Sequence, residues 1–561
     1  MFDLSGATAP AECARSAVKN GVDSLDCRAK RTEVSVAIRK SKREESLRKR
    51  RMNDGDAGED ECSAAREDAL VAEHGASLPA KLSELPAMLA ALQGSDREGR
   101  VMGARALRKL LSRVSDPPVA EVLSAGVLPL LCAALGDFSD SKLQFEAAWA
   151  LTNIGSSEHT GALVRAGCLP VLAQLLMVAD ASLREQAAWC IGNIAGDCFE
   201  FRDLALGTEG LVRGVQLNLE QPASLPMLRN VAWVASNLCR GSKPKPALQQ
   251  IAPLVPVLAR IVELCTDEEC VVDATWALSY VSDGENERVD MVVNCGACAS
   301  LVRTLQQRSE RCIPPTLRTL GNIVTGSDRH TQAALDAGLL RELSKLLKNA
   351  KTSVRKEAAW ALSNITAGTK EQIAAFLLAP GLPEAIVEAV AREEWAVRKE
   401  ATWALCHVLT TGAPEQVAAL VERHDALRPL CDLLACSDAK IISLVLDALD
   451  AALKLDPDRY GLMVEECDGL DAIEALQSHA SENIYRKALH LCSAYFRGEE
   501  EEEEEEDQNI APNVDHNVNA FQFRNTAVKQ HQICEPQHDS ITGIPFSMPN
   551  TGFNFSGIAF N

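Results

Sequence analysis

Apolar and polar residues in the central part of the chain follow a helical period, and one pattern recurs. It first appears as FEAAWALTN, in which Trp149 is followed four residues later by Asn153. Residues three or four apart share a helix face, so the indole and the amide lie together. The pattern returns every 40 to 44 residues, with Arg318 in one place where a tryptophan is missing. We therefore predict one long helix per repeat. The tryptophans in this register are Trp149, Trp189, Trp233, Trp276, Trp360 and Trp403.

A second signal is a glycine, often followed by Leu-Pro, that precedes a further apolar stretch. Glycine ends one helix and proline opens the next, so each repeat is predicted to contain a short helix, a second helix and a long third helix. A period of about 42 residues is typical of armadillo or HEAT solenoids, whose repeats bury their apolar faces only against neighbours. We predict an all-α solenoid of roughly ten repeats over residues 82–498. The glycines are Gly126, Gly167, Gly296, Gly338 and Gly381.

The tryptophan face of the third helix also carries a polar stripe. A polar residue stands three positions before each tryptophan, and an asparagine usually stands four positions after it. A lone tryptophan in a helix is most often a core residue, but buried polar groups need partners, and six of the seven tryptophans share this register. We therefore predict a groove lined by indoles and amides. The preceding polar residues are Glu146, Gln186, Asn230, Asp273, Glu357 and Glu400.

The predicted groove favours one kind of ligand. A side-chain amide donates and accepts hydrogen bonds, so it can hold the backbone of an extended peptide. An indole face attracts a cation by about 0.5–2 kcal/mol, and carboxylates pair with ammonium and guanidinium groups. We expect an extended peptide rich in lysine and arginine.

Composition narrows the function. The chain has 561 residues and a formal net charge of −21, which argues against direct binding of nucleic acid and favours cationic partners. Its 19 cysteines lack the spacing of a disulfide framework and indicate reduced thiols; the isolated Cys295-Gly-Ala-Cys298 is interpreted as structural. There is no predicted membrane span, metal site, cofactor motif or catalytic motif, so we expect no enzyme and no membrane partner.

The flanking segments differ in charge from the solenoid. Eleven basic and three acidic residues lie between Arg28 and Arg51. We predict a disordered segment at 1–27, a basic helix at 28–53, a flexible acidic linker at 54–81, an acidic run at 499–507 and a disordered tail at 508–561.

The basic segment has several interpretations. By itself it could be a solvated or nucleic-acid-binding tail, a membrane-surface helix, a localisation signal or a partner helix. The predicted groove favours a further interpretation, in which the segment is an internal ligand, because the cluster at 48–51 is itself the kind of peptide that the groove is predicted to hold. A tethered cluster competes at roughly millimolar effective concentration, which leads to the hypothesis of autoinhibition.

The order of these motifs resembles that of the importin α family of nuclear-import adaptors. The resemblance covers about 28–507 and rests on RAKR, SVAIRKSKREESLRKRR, FEAAWALTNI, WCIGNIAGD, WALSYVSDG, LRTLGNIVTG, KEAAWALSNITAG and the acidic run. It implies a right-handed armadillo superhelix with two binding sites for nuclear localisation signals. The implied major site contains Trp149, Asn153, Thr160, Trp189, Asn193, Asp197, Trp233, Asn237 and Trp276. The implied minor site contains Tyr280, Arg318, Asn322, Glu357, Trp360, Asn364, Glu400 and Trp403.

The resemblance also assigns the arm. Its autoinhibitory residues would be Lys49, Arg50 and Arg51. Its importin-β-binding residues would be Arg28, Lys30, Arg31, Arg39, Lys40, Lys42 and Arg43. The implied partners are importin β, cargo proteins with basic localisation signals, and a nuclear export receptor acting with Ran-GTP. The protein would shuttle between cytoplasm and nucleus.

Two departures from the family pattern, and one break in the Trp–Asn pattern that the family shares, affect these expectations. The loop after Asn153 is about two residues short, which puts affinity at the major site in doubt, and His407 replaces an asparagine at the minor site. Arg318 is expected to repel a basic ligand and so divide the groove, although the family has the same break. A generic armadillo scaffold and a chaperone for basic proteins such as histones remain as alternatives.

Overall fold

The structure is a computed structural model that describes residues 82–112, 117–241, 243–496, 513–515 and 520–522. The chain divides into two units, one ending at Phe496 and one beginning at Arg497. In the first unit, the described residues form a helical solenoid. The predictions for 1–27, for the basic arm, for the linker and for the acidic run lie outside the described residues.

The solenoid contains ten repeats within the described part of the chain, as the sequence period predicts. Repeats 1 to 3 contain α1 (Leu85–Gln93), α2 (Arg97–Leu111), α3 (Val119–Ser124), α4 (Val127–Leu135), α5 (Ser141–Gly155), α6 (Thr160–Arg165), α7 (Leu169–Leu175) and α8 (Ala181–Asp197). Repeats 4 to 6 contain α9 (Phe199–Gly207), α10 (Leu211–Glu220), α11 (Leu225–Cys239), α12 (Leu248–Ile251), α13 (Val255–Leu264), α14 (Glu268–Val281), α15 (Asn286–Asn294), α16 (Ala297–Gln307) and α17 (Ile313–Val324).

The remaining helices follow the same scheme. Repeats 7 and 8 contain α18 (Asp328–Asp336), α19 (Leu339–Leu346), α20 (Thr352–Thr366), α21 (Lys370–Leu378), α22 (Leu382–Arg392) and α23 (Trp395–Thr411). Repeats 9 and 10 contain α24 (Pro414–His424), α25 (Leu427–Cys431), α26 (Ala439–Leu453), α27 (Pro457–Glu465), α28 (Gly469–Leu476) and α29 (Glu482–Tyr495). Short 3₁₀ turns lie at Ala252–Leu254 and Asp432–Ala435.

Each third helix packs against the third helix of the repeat before it and of the repeat after it. The third helices are α2, α5, α8, α11, α14, α17, α20, α23, α26 and α29. The buried apolar residues form one continuous core from Leu85 to Leu491. Full burial of a leucine contributes about 1.5–3 kcal/mol, and here that burial depends on the adjacent repeat. No described repeat has a core of its own.

The predicted helix breaks are sharp turns in the left-handed region of backbone conformation. All five predicted glycines have φ between 69° and 91°, and Gly210, which the sequence analysis did not single out, has φ 76°. In repeats 9 and 10, Asp425 (φ 51°) and Asp468 (φ 55°) take this place. Aspartate is one of the few residues with a side chain that tolerates this conformation. Every second helix from repeat 2 onward therefore starts after a turn of one type, except in repeat 5.

Aspartates join the start of a third helix to the preceding repeat. Asp140 and Asp267 accept hydrogen bonds from backbone N–H groups in the first turns of α5 and α14. Asp140 also accepts from Arg97 Nε of α2 at 2.7 Å, and Asp267 accepts from Arg229 Nη2 of α11 at 2.5 Å. The Arg229 guanidinium lowers the pKa of Asp267 to about 2. One carboxylate thus caps a helix and binds its neighbour. Asp438 of α26 and Lys399 of α23 repeat the arrangement at 3.0 Å.

Two short strands lie in the second unit, β1 (Asn513–Asp515) and β2 (Ala520–Gln522). They pair in antiparallel register, with residue 514 opposite residue 521. Among the described helices, none by itself has the length and apolarity of a membrane span; α21 and α22 reach it only as a pair bent by 88°.

The Asp267–Arg229 pair predicts how stability depends on pH. Asp267→Asn keeps a capping side chain but removes the charge, and we expect it to destabilise the chain by about 1 kcal/mol at pH 7, a value reduced for partial exposure. The folded-state pKa is depressed, so the ion pair stabilises above the ordinary aspartate pKa of about 4. The difference from the wild type should disappear as pH falls from about 4 towards 2. Urea midpoints followed by circular dichroism measure it.

Asp180→Asn is the matched control for this prediction. Asp180 caps α8 through the backbone N–H groups of Ser182 and Leu183, and no cation among the described residues pairs with it. Its substitution should leave the midpoint nearly unchanged. Equal losses for the two variants would contradict the role assigned to Arg229.

Candidate functional site

The predicted groove residues lie on or immediately after successive third helices, but their indoles differ in exposure. Trp149, Trp233 and Trp403 are half-buried. Trp189, Trp276 and Trp360 are buried, none more than 9% exposed. Since the protein covers these three rings, the tryptophan series contributes in part to packing. The half-buried rings retain the larger surface for a ligand.

The asparagine amides join adjacent repeats, a role that the sequence analysis did not assign to them. Asn193 Nδ2 donates to Thr152 O of the preceding third helix at 3.1 Å. Asn237 Nδ2 donates to Gly192 O at 3.0 Å, and Asn322 Nδ2 donates to Ser279 O at 2.9 Å. A carbonyl can only accept, so each bond fixes which end of the amide faces the neighbouring helix. Asn322 Nδ2 also donates to Ser282 Oγ at 3.3 Å.

The first and last asparagines of the series depart from this geometry. Asn153 Nδ2 donates to the hydroxyl of Ser112 at 2.9 Å, which lies just after α2. Asn364 Nδ2 donates to Trp360 O, one turn back in its own helix, at 3.0 Å. The inter-repeat carbonyl bond is therefore limited, among the described asparagines of the series, to the three between them.

His407 keeps the inter-repeat bond where the asparagine is missing. Its Nδ1 lies 2.8 Å from Ser363 O of the preceding third helix, so Nδ1 carries the hydrogen and donates it. The ring lies 5.5 Å from that of Trp403, and the side chain is buried. Its Nε2 is also buried. The histidine reproduces the structural bond of an asparagine without its amide group.

Two glycines make room for indoles of the next repeat. A Cβ at Gly192 would overlap the ring of Trp233, and a Cβ at Gly321 would overlap the ring of Trp360. Each glycine immediately precedes an asparagine, in WCIGN and LRTLGN. The Gly-Asn pair is therefore a sequence signal for a close contact with the indole of the next repeat.

The N-terminal end of the groove is occupied by two arginines of α2. Arg105 Nε and Arg108 Nε donate to the two carboxylate oxygens of Glu146 at 2.8 and 2.6 Å. The Arg108 guanidinium also lies 4.3 Å from the ring centroid of Trp149, over its face. Glu146, predicted to attract a ligand cation, already has two from the chain itself. Arg108 therefore already covers one face of the Trp149 ring.

An ion pair stands at the place where a tryptophan is missing. Arg318 Nε and Nη2 each donate to a carboxylate oxygen of Glu357 at 2.8 Å, and the two side chains are 15% and 11% exposed. The pair has no net charge, so Glu357 compensates the repulsion expected from Arg318. Trp276 and Tyr280, on the N-terminal side of this pair, stack with ring centroids 5.9 Å apart.

The remaining predicted residues occupy different surroundings. Thr160 is buried, and its hydroxyl lies 3.1 Å from Gly155 O and 3.0 Å from Ser157 O, within the shortened loop. Asp197 is exposed at the C-terminal end of α8, and Glu400 is half-buried in α23. The arm residues Lys49, Arg50 and Arg51 lie outside the described residues, as do all the predicted importin-β-binding residues.

The CxxC motif at Cys295 and Cys298 has the properties of a structural pair and not of a reactive one. Burial raises the pKa of Cys295 and raises that of Cys298 to about 11, which disfavours reactive thiolates at this CxxC. Within the described ranges, no group of three or more histidine, cysteine or acidic side chains is arranged to hold a metal ion.

Comparison with known proteins supplies the family. The chain is 40% identical over 469 residues to importin subunit alpha-1b of Oryza sativa subsp. japonica, across 81% of this chain and 85% of that protein. The chain belongs to the importin α family. It is also 39% identical over 539 residues to importin subunit alpha-3 of Arabidopsis thaliana, across 94% of this chain and 98% of that protein.

Family models and a solved structure agree with this assignment. The importin beta binding domain matches residues 15–104, a wider range than the predicted 28–53. Armadillo/beta-catenin-like repeats match 115–156, 156–196 and 327–367, and an atypical Arm repeat matches 458–513. The crystal structure of an engineered protein superposes with a TM-score of 0.66 at 27% identity, over 74% of this chain and 99% of that one. As an importin α, the chain is a nuclear-import adaptor and not an enzyme.

The contact between Gly192 and Trp233 predicts a local destabilisation. Gly192→Ala places a methyl group where the indole lies, and overpacking of this kind costs about 1–3 kcal/mol. We expect a lower urea midpoint and a shift of tryptophan emission as Trp233 becomes more exposed. Gly207→Ala is the control, because a Cβ there meets nothing within 4 Å. A Gly192→Ala chain as stable as that control would contradict the packing described.

Proposed function

We propose that this importin α binds Lys/Arg-rich localisation signals in extended conformation along the third-helix face, and that its N-terminal basic arm competes for the same face. The observation that carries the proposal is the row of oriented amides at Asn193, Asn237 and Asn322. Bonds to the preceding helix fix each amide before a ligand arrives. Little side-chain entropy is then lost on binding.

The spacing of the repeats suits an extended chain. Packed helices lie about 8–10 Å apart, and an extended peptide advances about 3.3 Å per residue. Each repeat would therefore meet two or three ligand residues, one of which can place its backbone against the amide. The neighbouring side chains would then reach the half-buried indoles of Trp149 and Trp233.

We propose that the major and minor sites meet at the Arg318–Glu357 pair, which stands where a tryptophan of the series is missing. On the N-terminal side, the exposed carboxylate of Asp197 at the end of α8 supports the binding of a lysine beside Trp189 and Asn193. On the C-terminal side, Trp360, Glu400 and Trp403 line the minor site. The net charge of −21 favours the approach of either cationic segment.

The adaptor cycle follows from competition between arm and cargo. Importin β binds the basic segment, within the region that matches the importin beta binding domain, and so removes it from the groove. Cargo then occupies the groove and enters the nucleus with both proteins. Ran-GTP releases importin β, the arm returns, and cargo dissociates. An export receptor acting with Ran-GTP carries the chain back to the cytoplasm.

The arm hypothesis is tested by removing charge from the competing cluster. In the full chain, Lys49→Ala, Arg50→Ala and Arg51→Ala together should tighten binding of a labelled Pro-Lys-Lys-Lys-Arg-type peptide by about tenfold or more, since a competitor at roughly millimolar effective concentration is weakened. Fluorescence anisotropy at two salt concentrations measures the affinity, which should fall at the higher salt.

The control removes the same number of charges elsewhere in the arm. Arg39→Ala, Lys40→Ala and Arg43→Ala together should change the affinity for the peptide little but should weaken the binding of importin β. If both triple variants bind the peptide equally more tightly, the effect comes from net charge alone, and the specific role of the cluster at 49–51 is rejected. Failure of every form to bind the peptide would reject the cationic groove itself.

His407 predicts a weakened minor site that one substitution restores. His407→Asn retains a donor for Ser363 O and adds the missing amide. The affinity for a peptide with two basic clusters should then rise by about threefold to tenfold, which corresponds to the free energy of one hydrogen bond. His407→Ala, which loses the donor, should not raise it. Calorimetric titration measures the affinities of both His407 variants, each combined with the Lys49, Arg50 and Arg51 substitutions. An equal rise in affinity for a peptide with a single basic cluster would contradict an effect at the minor site.

A further inference from the structure

Two cysteine side chains from adjacent repeats meet beside the second helices of repeats 2 and 3. Cys132 lies in α4, and Cys168 immediately precedes α7. Their sulfur atoms are 3.1 Å apart although the residues are 36 positions apart in sequence. Cys132 is half-buried, whereas Cys168 is 1% exposed. Of the two residues, Cys132 therefore has the larger surface open to a small solute.

The contact makes the two thiols unequal. A hydrogen bond from the Cys168 thiol to the sulfur of Cys132 stabilises the Cys132 thiolate and lowers the pKa of Cys132. The same bond, together with burial, raises the pKa of Cys168. The thiolate is the reactive form of cysteine, so the accessible residue of the pair is also the nucleophilic one.

We propose that Cys132 and Cys168 form a peroxide-sensitive dithiol, in which Cys132 reacts first and Cys168 then closes a disulfide between repeats 2 and 3. The difference in burial between Cys132, which is half-buried, and Cys168, which is buried, supports this order. It does not depend on peptide binding, so its failure would leave the proposed adaptor function intact.

The chemistry balances with hydrogen peroxide as the oxidant. The Cys132 thiolate attacks one peroxide oxygen, an S–O bond forms as the O–O bond breaks, and hydroxide leaves and takes up a proton to become water. Cys132 is then a sulfenic acid. The sulfur of Cys168 attacks the Cys132 sulfur, the S–S bond forms, the S–O bond breaks, and the thiol proton leaves with hydroxide as a second water.

Other described cysteines provide a contrast. Burial raises the pKa of Cys190 and Cys239 to about 12, which leaves few thiolates at neutral pH. Burial also raises the pKa of both cysteines of the CxxC motif, Cys295 and Cys298. Spacing in the sequence draws attention to that motif, but the three-dimensional contact favours the distant pair.

A disulfide at this place would affect the solenoid at a defined step. The third helices of the joined repeats, α5 and α8, carry Trp149 and Trp189. A cross-link would limit the relative motion of these repeats and would constrain the unfolded chain across the intervening loop. The rest of the solenoid would retain its contacts.

The test uses the full, reduced chain. After treatment with a few equivalents of hydrogen peroxide, free thiols are alkylated and the chain is digested without reductant for mass spectrometry. We expect a linked peptide containing Cys132 and Cys168, lighter by two hydrogens and reversed by dithiothreitol, that forms at least about tenfold faster than oxidation of Cys295. Absence of this linked peptide, or earlier formation of a Cys295–Cys298 disulfide, would overturn the proposal.

Variants assign the order of the two residues. Cys168→Ser should stop at a Cys132 sulfenic acid that dimedone captures, whereas Cys132→Ser should leave Cys168 as a thiol. Cys190→Ser, in α8, is the matched control and should still form the linked peptide. Dimedone capture at Cys168 instead would reverse the assignment and reject it.

A measurement on the wild-type chain guards against misfolded variants. Phenylarsine oxide binds two neighbouring thiols at once, so it should protect Cys132 and Cys168 together from alkylation. Alkylation of Cys132 that continues at an unchanged rate in its presence would also reject the pair.

Discussion

The structure depends on contact between successive third helices, because no described repeat can bury its own apolar face. That contact uses the residues that also form the candidate groove. Asn193, Asn237 and Asn322 bond to the preceding helix, while Gly192 and Gly321 admit the indoles of Trp233 and Trp360. The binding face is thus held in shape by the same side chains that it offers to a ligand.

Much of the fold could be read from the sequence because the repeat imposes a period. The tryptophan register predicted the third helices, and five glycines predicted the turns before second helices, although Gly210 was not among them. Partners were harder to predict. Periodicity states which face of a helix a residue occupies, but not which atom of a residue about 40 positions away it meets. The pairing of Arg105 and Arg108 with Glu146 is of this kind.

These partners change the electrostatics of the candidate groove. Two carboxylates that the sequence offered to a ligand, Glu146 and Glu357, are neutralised by arginines of the chain. Charge selectivity would then rest less on these two side chains and more on the overall negative charge of the chain. At His407 the structural role and the ligand-binding role of the asparagine are separated. The histidine retains the bond to the preceding helix but offers no amide group to a ligand.

The aspartate caps bear on how such a chain can change its length. In the pairs Arg97–Asp140, Arg229–Asp267 and Lys399–Asp438, the cation belongs to one repeat and the carboxylate to the next. Repeat 4 supplies Arg229 but begins its own third helix after Ser224, so a tandem copy of this repeat alone would place an arginine opposite a serine. These joints tie the length of the chain to the order of its repeats, because each cation needs the neighbouring repeat that carries its own carboxylate.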